Sequence, residues 1–381
     1  MRIEILGAES LGVRGLCCLI ELKHRKILID PGIALGWSRH GLLPHPFQVA
    51  LGAGVREKII RALRGADDVI ISHFDGDHCP LQDPNPYQLG LDTVVNRLTR
   101  CRIWSRGPEK SSPVQRKRRN DLAVAIGREL KNAEGLKTDG LEFSSPVPHG
   151  KRHGGENLLM MSRIQDGEET FVHASDIQLL EDNALDIILG WQPDVVLVSG
   201  PPLYHYSGPA FDGLWKKAFQ NAQRLSASVG TLIIDHHLLR SDAGRDWLTG
   251  LKQSCENEIC CAAEYMQRQA VFLETWREEL YSRLPVDQAW HDMYRQGRVE
   301  FTPYRTGGWQ ALIEANRIQP CKWYSGCPVK ADTNRGRLDR YWIEEYCLVA
   351  NKSCIRYQMA EKGEYLPDDV LPDGRTRDRI Y

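Results

Sequence analysis

The chain contains no apolar run approaching the ~18 residues needed to cross a bilayer. Its first residues, MRIEILGAESLGV, enter a strand pattern without the long apolar core of a secretion signal. Net charge is also missing: 49 Lys and Arg against 50 Asp and Glu leave −1, which argues against a generally basic nucleic-acid binder and against an acidic tail. No internal repeat is evident, and no Rossmann-type or flavodoxin-like segment offers a flavin site. These absences leave a cytoplasmic protein with no membrane partner as the expectation. Its eleven cysteines then read as thiols or metal ligands rather than disulfides. At 381 residues the chain exceeds one small domain and can bury a large core.

Over residues 1–290 short β-rich runs alternate with helical stretches. MRIEIL, GLCCLIEL, RKILID, DDVIIS, CRIWS, NLLMMSRI, ETFVHAS, PDVVLVSG and GTLIID read as strands. Residues 55–64, 115–131, 211–226 and 242–254 read as helices. Two groups of strands with helices between them predict an α/β sandwich, sheets inside and helices outside. The basic run QRKRRND, at 115–121, reads as the solvated face of its helix rather than a nucleic-acid patch. Residues 291–320, rich in Arg, Gly and Pro, read as a linker or wrapping segment. Residues 321–381 form a compact cysteine-bearing stretch.

The chemistry is densest in DDVIISHFDGDHCPL. Four residues of metal-binding type, His73, Asp75, Asp77 and His78, fall within six positions at the end of an apolar run. A regular strand would send alternate side chains to opposite faces, whereas a loop at its end can aim them at one point. Imidazole and carboxylate together suit zinc, iron and manganese and keep coordination positions open for water. More candidates end other apolar runs: His149 in SSPVPHG, Asp176 in TFVHASD, and His236 and His237 in TLIIDHHLLR. Singly each has a plain structural explanation, since an Asp after a strand is often a helix cap. As an ordered series they predict one site assembled at one edge of two sheets.

This series resembles the metallo-β-lactamase superfamily, whose signature is His-x-His-x-Asp-His followed by a distant His, a bridging Asp and a final His. Within it the chain most closely resembles a family of predicted metal-dependent hydrolases. The resemblance is carried by AESLGVR, ILIDPGIALG, LLPHPFQ, FSSPVPHG, FVHASDIQ, VSGPPLY and IIDHHLLR and spans residues 1 to about 285. It implies an αββα fold and two divalent cations (Zn, Fe or Mn). His73 and His149 would hold the first cation and Asp77 and His78 the second. Asp176 would bridge, and His236 or His237 would complete the set. It further implies a hydrolase whose metal-bridged hydroxide attacks an ester, phosphodiester, lactone or thioester, with Asp77 and Asp176 as the catalytic carboxylates. One position departs: Asp75 stands where the superfamily has its second His. As an anionic ligand it would favour iron or manganese, and it also resembles the His-x-Glu-x-Asp-His motif of the flavodiiron branch. Asp75 either binds or points away.

Tyr204, His205 and Arg14 lie in or near turn-rich loops that would border such a site and are candidates for contacting a substrate anion. Asp235 and His173 are candidates to orient ligands. Cys79 reads as a buried small residue or a thiol near the metals.

The tail carries Cys321, Cys327, Cys347 and Cys354, a C-x5-C-x19-C-x6-C pattern. Four thiolates suit Zn²⁺ or an iron–sulfur cluster, and spacings wider than those of common zinc modules favour [4Fe–4S]. Two rival functions remain: a diiron oxidoreductase fed by that cluster, which would need an electron-transfer partner, and a non-enzymatic iron–sulfur sensor.

Overall fold

A computed structural model describes residues 1–150, 157–205, 211–287, 289–301, 304, 321–339, 341–347 and 352–377. The chain divides into two compact units, Met1–Arg305 and Thr306–Tyr381.

The first unit begins with β1 (Arg2–Gly7), β2 (Cys17–Leu22) and β3 (Arg25–Ile29), followed by helix α1 (Pro46–Gly65). Next come β4 (Asp68–Ile71), the single turn α2 (Val95–Leu98), β5 (Arg102–Ser105) and α3 (Pro113–Ile126). The five strands form one sheet in sequence order. The pairs β1–β2 and β2–β3 are antiparallel, while β3–β4 and β4–β5 are parallel.

The second sheet uses β6 (Lys137–Thr138), β7 (Leu141–Phe143), β10 (Ser162–Asp166), β11 (Glu169–His173), β12 (Val195–Val198), β13 (Thr231–Ile234) and β14 (Glu258–Cys260). Its order is β14-β13-β12-β11-β10-β7-β6, and the run from β11 to β14 is parallel. A small pair, β8 (Val147–Pro148) with β9 (Leu158–Leu159), lies apart from it. The connecting helices are α4 (Asp182–Gly190), α5 (Asp212–Ser226) and α6 (Asp242–Ser254).

Strand alternation explains the layers. In β2 and β4, Cys18, Ile20 and Ile70 face the second sheet's core, whereas Cys17, Leu19, Val69 and Ile71 face α1 and α3. Both faces are buried, so these strands read as continuous apolar runs instead of alternating ones. Val55, Ile59 and Leu63 cover one face from α1; Ala184, Leu185 and Ile188 of α4 and Ala218, Ala222 and Leu225 of α5 pack on the other side. The result is the αββα sandwich expected. Trp290 is buried in the α1–α3 core, so the first unit's packing continues past residue 290.

Local chemistry sets the helix ends. Pro46 and Pro113 sit in the first turns of α1 and α3, where a missing N–H costs nothing. Ser112 caps α3 through Gln115 N, and Gly127 ends it in the left-handed region at φ 68°. NLLMMSRI, expected as one strand, is broken: Met160 and Met161 separate β9 from β10, with Met160 N donating to Ser72 O. The helix α4 and the short strands β6, β7, β8 and β14 are absent from the pattern-based expectation.

The second unit has a small core of Val329, Trp342, Ile343, Cys347 and Leu371. Two short helices, Pro328–Asn334 and Ile355–Lys362, belong to it. Residues 302, 303 and 305–320 of the expected linker lie outside the described residues.

Candidate metal centre

The site forms where the strands end. β4 delivers Ser72, His73 and the following loop, β11 delivers Ser175 and Asp176, and β13 delivers Asp235, His236 and His237. The chain bends sharply at these points: Asp30, Ser175 and His236 have φ of 46°, 50° and 59°. Such left-handed non-glycine residues are uncommon, and strain of this kind clusters at functional sites. Close backbone approach fixes the rest. A Cβ on Gly32 would stand 2.5 Å from His78 N, and one on Gly15 would stand 2.5 Å from Asp77 O, so both loops press directly on the motif.

Asp176 is the hub. His78 Nε2 lies 3.1 Å from its Oδ1 and His236 Nε2 3.5 Å from the same atom. His73 Nε2 and His237 Nε2 each lie 3.5 Å from Oδ2. Asp77 Oδ2 is 3.4 Å from His236 Nε2. Two sets, Asp77–His78–His236 and Asp176–His236–His237, each bring one ligand atom per residue within 4.8 Å of the others. His149 belongs to the same neighbourhood, its ring 6.2 Å from that of His73 and 6.3 Å from that of His237. Asp75 stands further out. Its Oδ2 is 3.7 Å from His73 Nε2, while Gln115 Nε2 donates to its Oδ1 at 3.1 Å and Arg118 lies 3.7 Å away. Helix α3 therefore turns two members of its polar run towards Asp75.

A buried network orients the imidazoles. Asp30, with no exposed surface, accepts at Oδ2 from Ser72 Oγ (2.6 Å), Ser175 Oγ (3.0 Å) and His78 Nδ1 (2.9 Å). Donation from Nδ1 leaves Nε2 facing Asp176, where the neutral ring would carry its lone pair. Ser72 Oγ likewise lies 2.9 Å from His73 Nδ1. These are the outer partners that metal-binding histidines require. A third group within 4.8 Å, Asp30–His73–His78, is this orienting contact, because Asp30 meets the far side of the His78 ring.

Electrostatics point the same way. Burial alone would raise the carboxyls of Asp77 and Asp176, but the surrounding imidazoles, and Arg240 for Asp77, hold both well below the usual range. For His78 burial favours the neutral form, yet Asp176 and Asp77 outweigh it and raise its pKa well above normal. Burial, opposed by Asp176 but joined by repulsion from His236 and Arg240, keeps His237 well below its ordinary value. His236 falls to about 4, from burial and Arg240. Anionic carboxylates beside the neutral imidazoles of His236 and His237 form a donor set for cations, which His78 joins by giving up a proton. The fit is supported further by buried atoms: His73 Nε2, His78 Nε2 and Asp176 Oδ1 have no partner in hydrogen-bonding geometry among the described residues.

Arg240 carries no sequence signal that singles it out, yet it stands at the site. Its Nε donates to Glu9 (3.0 Å) and Nη1 to Tyr204 Oη (3.1 Å), while Nη2 lies 2.8 Å from His236 Nε2 and 3.1 Å from His236 Nδ1. Asp30, Ser72, Ser175 and Gln115 are likewise outside the expected set; the only hint is that Asp30 ends an apolar run and Ser72 precedes His73. Tyr204 thus reaches the site's edge through Arg240, with the His205 ring 4.3 Å from its own. Residues 206–208 of that loop lie outside the described residues. Arg14 is paired with Glu274 through both Nε and Nη2. Asp235 ties loops together, accepting from Ser10 N and Ala262 N. His173 bonds the Leu16 carbonyl at 2.8 Å, and Cys79 is buried.

In the second unit the four cysteines line one cavity of about 270 Å³, with Tyr346 and Tyr357 among its other walls. All are free thiols. Cys321 N donates to Cys347 O at 2.8 Å. Cys327 and Cys354 occupy the positions just before the two short helices. Burial, with the neighbouring thiols adding to it, pushes Cys347 up to about 12.

An αββα sandwich with a His/Asp cluster at its strand ends is the arrangement that the resemblance to the metallo-β-lactamase superfamily leads one to expect, and its side chains could hold a metal ion. Among sequence relatives, a UPF0282 protein of Methanosarcina mazei is 44% identical over 306 residues, covering 80% of this chain and 99% of its own length. Relatives from Methanopyrus kandleri and Thermococcus gammatolerans are 34% and 32% identical, each over 74% of this chain and over 99% and 96% of theirs. The chain belongs to the UPF0282 family. No family model matches it. Similar solved structures include the metallo-β-lactamase fold protein YhfI of Bacillus subtilis (13% identity, 71% of this chain and 97% of that one, TM-score 0.40). Another is Tm1679, a metal-dependent hydrolase of the β-lactamase superfamily (16%, 68% and 95%, 0.42). A third is Zn²⁺-bound PqqB of Methylobacterium extorquens (10%, 74% and 96%, 0.37). Among the described residues no helix is long and apolar enough to cross a membrane.

Proposed function

We propose that the first unit is a metal-dependent hydrolase acting on an ester, phosphodiester, lactone or thioester. The observation that carries this is the convergence of His73 Nε2 and His78 Nε2 on opposite oxygens of the buried Asp176. When bound, a pair of divalent cations supplies Lewis acidity and makes water nucleophilic near neutral pH. His73, His78, His149, Asp77 and Asp176, with His236 or His237, would hold the pair. Asp30 and the two serines would fix the imidazole tautomers, and Asp77, at the rim with its side chain one-fifth exposed, is placed to accept or return a proton. Arg240 and Tyr204 border the same rim and would orient the substrate.

The test uses protein purified anaerobically and assayed on chromogenic esters, phosphodiesters, lactones and thioesters. His78→Ala and Asp176→Ala should abolish hydrolysis of whichever substrate the wild type turns over. Retention of the wild-type rate by both metal-loaded variants would refute the assignment.

The four thiols of the second unit are read as ligands of a [4Fe–4S] cluster rather than of zinc. A single zinc ion draws its sulfurs to about 2.3 Å and fills little space, whereas a cavity of about 270 Å³ bounded by all four cysteines suits a larger group. Iron and acid-labile sulfide in the anaerobic protein, with broad absorption near ~400 nm lost on reduction, are expected. Stoichiometric zinc without sulfide would replace the cluster by a zinc site.

A further inference from the structure

The motif loop departs from an all-imidazole set at Asp75, and two histidines stand side by side at the end of β13. We propose that these facts are connected: His236 and His237 serve different cations, and His237 supplies to the first cation the imidazole that Asp75 removes. This rests on the cation-pair reading above and goes beyond it, since that reading requires only one histidine from β13.

The two oxygens of Asp176 divide the neighbourhood. Around Oδ1 stand His78 Nε2 at 3.1 Å and His236 Nε2 at 3.5 Å, with Asp77 Oδ2 3.4 Å from the same His236 atom. Around Oδ2 stand His73 Nε2 and His237 Nε2, both at 3.5 Å. The His149 ring is near both, its centroid 6.2 Å from that of His73 and 6.3 Å from that of His237. Two imidazoles, with the His149 ring beside them, therefore meet one oxygen, and two other imidazoles and Asp77 gather at the opposite one.

Adjacent residues of a regular strand could not do this, because their side chains point to opposite faces. His236 escapes the rule by its left-handed backbone, φ 59°. Asp235 holds that turn by accepting from His236 N at 2.6 Å and Ser10 N at 3.0 Å, and Ser199 Oγ receives His237 N at 3.1 Å. The two rings consequently lie close together, centroids 4.6 Å apart and planes inclined by 26°, while each meets a different oxygen. Asp75, meanwhile, is engaged at Oδ1 by Gln115 and approached by Arg118, leaving only Oδ2 on the cation side.

Zinc reconstitution of the full chain tests this, read as bound metal per chain relative to wild type so that metal held by the cysteines cancels. His237→Ala should lose one equivalent. His73→Ala combined with His237→Ala should lose the same single equivalent, whereas His78→Ala combined with His237→Ala should lose both. Cobalt substitution gives a second readout: the visible absorption of the cation retained by His237→Ala should match that retained by His73→Ala. Thermal melts of the metal-free forms check folding, and His237→Gln carries the test where the alanine variant does not fold. A His237 variant that keeps both equivalents at unchanged affinity overturns the division between cations while leaving the hydrolase reading intact. A wild type that binds no zinc pair overturns both.

Discussion

In the first unit the metal-binding side chains hang from strands buried on both faces and are braced by Asp30, Ser72 and Ser175. In the second, four thiols ring a cavity beside a core of five buried side chains. The first unit can hold its donors in place by packing alone. Among its described residues the second has a smaller apolar core, and small modules commonly depend on a metal for their folding energy. The donors differ in kind as well. Imidazole and carboxylate leave open positions for chemistry, whereas four thiolates close a centre.

The strongest way to break this contrast is Cys347→Ser in the full chain. It should strip the bound group and bring amide exchange at Val329, Trp342 and Ile343 close to that of an unfolded chain, with exchange in β2, β4 and β12 unchanged. Persistent protection in the second unit would show that packing alone suffices there. A smaller effect is expected from Asp30→Asn, which weakens the acceptor shared by Ser72, Ser175 and His78. Metal affinity of the first unit should fall about 10–100-fold, by calorimetry or competition with a chelator, with the second unit's absorption unaffected.

The smallest effect concerns the first unit's packing without metal. His45 caps α1: its Nδ1 accepts from Phe47 N and its Nε2 lies 3.0 Å from Leu284 O, so the neutral ring is the one that fits. Burial, only partly opposed by that carbonyl, lowers its pKa from 6.5 to about 4. The unfolded chain therefore binds a proton first as pH falls. This stabilising contribution is complete above pH ~6.5 and is lost towards pH ~4, with a slope of at most about 1.4 kcal/mol per pH unit. His45→Asn, which keeps a capping acceptor but cannot titrate, should be less sensitive to pH across that interval in chemical denaturation. An unchanged slope would place the titration elsewhere.

Much of the first unit is legible in the amino-acid sequence. Val69-Ile70-Ile71 and Leu232-Ile233-Ile234 announce buried strands because both their faces are covered, and ligand-type residues at the ends of such runs mark one edge. Helix α3 is legible in part: the pattern places it at 115–131, whereas Ser112 and Gly127 bound it at Pro113–Ile126. What escapes has weak local signals. β6 and β8 are two residues long and exist only through their partners, and Arg240 follows His236 by four positions with nothing in its neighbours to mark it. The basic run beside Asp75 reads as solvent-facing because pattern alone does not say that Gln115, Arg118 and Arg119 turn inward.

Composition and spacing determined by themselves that His73, Asp77, His78 and Asp176 would follow buried strands, since apolar runs and the polar breaks that end them are properties of the chain. Only the tertiary structure decided which oxygen of Asp176 each histidine faces, that Asp30 orients His78, and that Arg240 stands beside Asp77. Those outcomes depend on the crossing of loops separated by tens to hundreds of residues and on the left-handed turn at His236. Distances of a few ångströms between distant segments are set by packing, and no local pattern encodes them.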